Sequence, residues 1–137
     1  MHSYTLPICI IALGIVIAIL HGFALMHHLY FSVWWFDIPM HFSGGVLVSI
    51  VGIWVLAQFF PATILGSSSY PLLLQVILFA VIVGTVWETF ELIFKLTYTD
   101  PLIYIADTAK DMTLDIIGAC AGYAFGLWQL GKEQAHV

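Results

Sequence analysis

Four apolar stretches, about Leu6 to Leu29, His41 to Phe60, Leu72 to Leu96 and Asp111 to Leu130, take up most of this 137-residue chain. A helix needs roughly 20 apolar residues at 1.5 Å rise to cross the hydrocarbon core of a bilayer, so each stretch is long enough to span. Only 8% of the residues are charged and the mean hydropathy is +1.05, against about 25% charged residues in soluble domains. The expectation is an all-α polytopic membrane protein: one transmembrane domain over residues 1–137, folded as a four-helix bundle in a bacterial or archaeal cytoplasmic membrane.

Punctuation supports these boundaries. Pro39 suits the first turn of the second helix, Pro61 its end, Pro71 the start of the third, and Pro101 the connection before the fourth. Gly66 to Ser69 read as a turn. The run from Leu6 to Met26 has no basic flank and no small-residue cleavage site after it, so it is read as a helix and not as a cleaved signal peptide. Trp34, Trp35, Tyr98 and Tyr104 fall near one set of helix ends and Phe59, Phe60, Tyr70 and Trp128 near the other, as in interfacial aromatic belts.

Eight acids stand against three lysines and no arginine. That balance makes neither nucleic acid nor an anionic lipid surface a natural partner and favours cations. Cys9 and Cys120 lie in different spans, which makes a disulfide framework improbable. Four crossings put both termini on one side, face A, and the first and third connections on the other, face B. Lys95 and Lys110 then oppose Lys132, too small a difference to orient the chain.

Seven of the acids, Asp37, Glu88, Glu91, Asp100, Asp107, Asp111 and Asp115, map to face B. Asp37 and His41 are four apart, Glu88 and Glu91 three apart, and Asp107, Asp111 and Asp115 repeat every four, so each set shares a helix face. An ionised acid at the bilayer centre costs about 2.5–3.5 kcal/mol. Glu88, Glu91 and Asp115, one to two turns inside the spans, therefore need neutralising by lysine, protons or a cation. A pair such as Glu91 with Lys95 cannot serve them all. Carboxylates from several helices joined by an imidazole are a ligand set for divalent metals, with histidine tilting the choice to zinc, iron or manganese. The candidate ligands are His41, Glu88, Glu91, Asp111, Asp115, Asp37 and Asp107, with His21, His27 and His28 behind them. For Asp37, Asp107 and Asp111 the competing explanation is helix capping. Gly118, Gly122 and Gly126 repeat every four residues on the face that carries Asp111 and Asp115; such a stripe lets helices approach closely, within the bundle or in a homo-oligomer.

The order Asp37-x-x-x-His41-Phe42-Ser43-Gly44-Gly45, then Trp87-Glu88-x-x-Glu91, then Asp107-x-x-Lys110-Asp111-x-x-x-Asp115-x-x-Gly118 resembles the uncharacterised bacterial YjdF-like membrane family. More distantly it is similar to VanZ-like proteins, whose acid and histidine before one helix and acid-rich start of a Gly-containing final helix recur here. VanZ itself is associated with glycopeptide resistance, and VanZ-like members commonly carry an arginine near the acidic segment that this chain lacks.

Three uses of the polar cluster follow. A metal-dependent hydrolase or transferase on a lipid-linked substrate would use the cation to polarise a phosphoryl or acyl oxygen. A proton or cation transport component would need a polar path on to face A. An accessory subunit would use the metal as a structural clip.

Overall fold

The computed structural model describes residues 5–60, 69–96 and 100–135. Among these the fold is all-helical: α1 (Thr5–Met26), α2 (Leu29–Ser32), α3 (Asp37–Phe59), α4 (Ser69–Phe94) and α5 (Pro101–Ala135). Pro61, the Gly66 to Ser68 part of the turn, and Tyr98 lie outside the described residues.

Three helices, α1, α3 and the Tyr70–Phe94 part of α4, are long and apolar enough to cross a membrane. The expected fourth span is the one that differs. α5 forms and packs into the bundle, but it starts ten residues before the expected Asp111 and runs for 35 residues, about 52 Å. Its first turns carry Asp107, Lys110, Asp111 and Asp115, which dilute its apolar character. The early start has a local cause: the Asp100 carboxylate accepts the backbone N–H groups of Leu102 and Ile103 at 2.9 and 3.2 Å, and Pro101 opens the helix with no N–H to satisfy. Asp100 is the cap, and Asp107 and Asp111 lie well inside the helix.

The other ends also shift. α1 stops at Met26 because His28 turns left-handed, with φ 53°, and the single turn α2 follows. α4 ends at Phe94, where Lys95 takes φ 57°. Leu96 N–H then reaches the Glu91 carbonyl at 2.9 Å and Lys95 N–H that of Leu92 at 3.4 Å, a Schellman closure with lysine in the usual glycine position. The expected Glu91–Lys95 pair is not among the ion pairs of the described residues; the Glu91 carboxylate instead accepts the Trp87 indole N–H at 2.8 Å.

Lipid tails are as apolar as leucine, so helices associate in a bilayer through close packing more than through burial of apolar area. The closest seam joins α3 and α5. A β-carbon on Gly45 would strike the Asp115 carbonyl, one on Gly118 the Phe42 carbonyl, and one on Gly122 would lie 2.6 Å from the Val46 carbonyl oxygen. The Gly118, Gly122 and Gly126 face, expected to be open also to a second copy, is thus occupied by α3 of the same chain. Ala119 is buried with it, whereas Ala121 and Cys120 are exposed. Ile53, Leu72, Val76, Ala80, Ala119 and Tyr123 form the core of the half away from the acids. Residues such as Ile8, Ile19, Leu74 and Leu78 stay exposed, as a bilayer-facing surface does. Lys132 lies 3.6 Å over the Trp128 ring at the far end of α5.

Candidate metal centre

The α3–α5 seam sets the site. By bringing the backbones together at Gly45 and Gly118, it lays the first turns of α3 against the α5 turn that bears Asp111 and Asp115. His41 is then clasped by carboxylates on both ring nitrogens. Nε2 lies 3.3 Å from Asp37 and 3.9 Å from Asp111, and Nδ1 lies 3.4 Å from Asp115. His41, Asp111 and Asp115 are all buried.

Asp37, His41 and Asp111 each offer a ligand atom, all within 4.8 Å of one another. Ligand atoms about 3.4 Å apart are what bonds of about 2.1 Å at a tetrahedral angle produce, so the spacing fits a small divalent ion after modest adjustment. Asp115 fits the supporting role: a carboxylate on Nδ1 holds the imidazole in the tautomer that turns Nε2 toward the other two ligands. Oxygens of Asp111, Asp115 and Glu88 are buried without a hydrogen-bond partner, although Asp111 Oδ1 lies 3.2 Å from the Lys110 ammonium. Buried carboxylate oxygens in this condition are costly.

Lys110 is the residue that spacing alone did not bring forward. Its ammonium bonds Asp107 at 2.7 Å and Asp37 at 3.1 Å and lies 3.2 Å from Asp111, so it shares two of the three candidate ligands, Asp37 and Asp111. Four aspartates in mutual reach of one lysine and one histidine leave three negative charges uncompensated when His41 is neutral, as a metal ligand must be, and one divalent cation would offset two of them.

The remaining candidates surround this group. Glu88 is buried and accepts the Thr108 hydroxyl at 2.7 Å. Glu91 lines a small polar pocket of about 60 Å³ with Tyr30, Asp37, Asp107 and Lys110. His27 and His28 are exposed and take no part. His21 bonds Tyr30 at 2.7 Å and meets Trp87 edge-on at 5.1 Å, a cross-helix set that no sequence spacing signals. Burial first, then the charges of Asp37 and Glu91, pushes the Tyr30 hydroxyl well above the ordinary phenol range. It therefore stays protonated and able to donate at any physiological pH. Accordingly, Tyr30→Phe leaves the tyrosinate absorbance of the protein unchanged up to about pH 11; loss of an ionisation step below that pH would show the environment to be wrong.

Beside the cluster lies a second, mostly apolar cavity of about 150 Å³, lined among others by Ile17, Gly44, Val48, Val83, Gly84 and Trp87, with Asp37, His41 and Asp115 on its wall. A buried polar group is thus set against an apolar cavity among helices long and apolar enough to cross a membrane.

The family comparison agrees over nearly the whole chain. Residues 2–132 match the family described as predicted membrane protein (DUF2238). The chain belongs to that family. No curated protein and no solved structure matches it. The family description and the three apolar helices together make this a multi-pass membrane protein.

Proposed function

We propose that this DUF2238 protein is a divalent-metal-dependent membrane hydrolase or transferase acting on a lipid-linked substrate, with α5 as a fourth crossing and the acids gathered on face B. The observation that carries the reading is the convergence of Asp37, His41 and Asp111 within 4.8 Å, beside buried, unpartnered carboxylate oxygens and an apolar cavity. Asp37, His41 and Asp111 would hold the ion, and Asp115 would orient His41. Zinc, iron or manganese suits one imidazole with carboxylates. Such an ion supplies Lewis acidity toward a phosphoryl or acyl oxygen and lowers the pKa of bound water. Asp107, Glu88 and Glu91 shape the polar surroundings.

The apolar core of Ile53, Leu72, Val76, Ala119 and Tyr123 favours chemistry at one face over a transport path through the bundle. The finer resemblance, to YjdF-like and more distantly VanZ-like proteins, belongs to the same reading, since the matched motifs carry all seven proposed site residues.

Elemental mass spectrometry on protein purified without chelator tests the proposal. About one zinc, iron or manganese per chain is expected in the wild type, and its loss in Asp111→Asn and His41→Gln. Wild-type protein that is metal-free and takes up none of the three on addition, or variants with undiminished metal, would overturn it.

A further inference from the structure

We propose that the apolar cavity between α1, α3 and α4 binds one hydrocarbon chain of a membrane lipid and presents its head group to His41 and Asp115. The inference rests on the proposed function for what happens at the head group, but not for the binding itself.

Several features carry it. The cavity holds about 150 Å³, a volume that accepts a small hydrocarbon where its walls are apolar, and so room for the segment of a chain next to its head group while the rest stays in the bilayer. Its wall is built from Ile17, Val48, Ala80 and Val83 with Gly44 and Gly84, and its polar groups are Asp37, His41 and Asp115 together with His21 of α1 and Tyr30 of α2. That is the division of an amphiphile's site: a slot for a chain and a fixed place for a head group. Gly84 is part of the device, because a β-carbon there would strike the Asp115 carboxylate and the Met112 sulfur. Its absence lets Asp115 reach the cavity with Oδ2 buried and unpartnered.

The route in is lateral. α1 rests mainly on α3 and has at most slight contact with α4, so the seam between α1 and α4 is loosely closed. Toward the polar end it is bridged by the His21 contact with Trp87, and His21 is held there by its hydrogen bond to Tyr30 of α2. A chain arriving from the bilayer through this seam meets Val83 and Trp87 on one side and Ile17 on the other. The polar pocket beyond Tyr30 and Asp37, of about 60 Å³, is too small and too polar to take a hydrocarbon chain, which leaves the apolar cavity as the place for it.

The test uses full-length protein with Trp87 as its single tryptophan, made by Trp34→Phe, Trp35→Phe, Trp54→Phe and Trp128→Phe, in nanodiscs of phosphatidylcholine brominated at mid-chain. Bromine entering the cavity quenches Trp87. Gly44→Leu fills the cavity: its β-carbon meets only an Asp115 oxygen at 3.9 Å, so the side chain extends into the slot without striking backbone. Val83→Phe fills it from α4. Gly22→Leu, with nothing within 4 Å of its β-carbon, is the control.

Trp87 quenching is expected in the parent and in Gly22→Leu and is expected to be lost in Gly44→Leu and Val83→Phe. Absence of quenching in the parent, or equal quenching in Gly22→Leu and either filled variant of native helicity, overturns the inference. Asp111→Asn in the same background separates the two readings. Metal lost with quenching kept is the expected result, whereas cavity-dependent quenching in a wild type that never binds metal overturns the metal reading and leaves the chain site standing.

Discussion

Gly118→Val strongly destabilises the fold in detergent, whereas Gly22→Val leaves its stability nearly unchanged. Both residues sit in apolar helices, and their propensity costs are alike. What separates them is the opposing surface. The β-carbon of a residue at 118 would run into the Phe42 carbonyl and crowd the Val46 backbone nitrogen, while nothing lies within 4 Å of the β-carbon position at 22. Backbone cannot rotate away as a side-chain tip can, so α3 and α5 must separate. Overpacking usually costs about 1–3 kcal/mol, and a clash between backbones belongs at or beyond the top of that range, a large share of the roughly 5–15 kcal/mol that holds a typical domain. Unfolding of both variants in mixed micelles by increasing dodecyl sulfate measures this. Equal midpoints would show that the seam is not where the stability resides. Because Asp111 and Asp115 hang from the same face of α5, the proposed metal site predicts that the Gly118 variant also loses metal uptake.

Lys110→Met gives the second large effect, and its size depends on metal. Without metal the variant is less stable, because Asp37, Asp107 and Asp111 lose the ammonium that lies 2.7–3.2 Å from them. Breaking a fully buried ion pair costs about 3–5 kcal/mol. The Lys110 side chain is 37% exposed, so a loss of about 2 kcal/mol is the expected size. With metal the difference narrows. The ammonium and a divalent ion compete for the same oxygens of Asp37 and Asp111, so removing Lys110 tightens metal binding by tenfold or more, about 1.4 kcal/mol. Calorimetric titration of wild type and Lys110→Met with zinc or manganese, alongside melting with and without the ion, checks both halves. A variant that binds metal no more tightly than wild type would mean that Lys110 and the ion do not share a place.

Much of this architecture is legible in the residues because lipid imposes simple rules. Apolar runs of spanning length, prolines at their margins and the 3.6-residue period place the acids and His41 toward one end of the bundle. The same period correctly puts Asp111, Asp115, Gly118 and Gly122 on one buried face of α5. Errors arise where a local bond outweighs the pattern. Asp100 and Pro101 begin α5 early, His28 breaks the chain before α2, and Lys95 ends α4 in a left-handed turn that removes it from Glu91.

Sequence alone thus determined that the chain lives in a membrane as helices and that its charge gathers at one side. Only the tertiary structure decided that Asp37, His41 and Asp111 converge, that Lys110 stands among them, that Glu88 turns to Thr108 and Glu91 to Trp87, and that the glycine stripe is spent on α3. The physical reason is that spacing along a helix reports which residues share a face. Which face meets which neighbour, and at what height, is set by where two backbones can touch, here at Gly45 and Gly118.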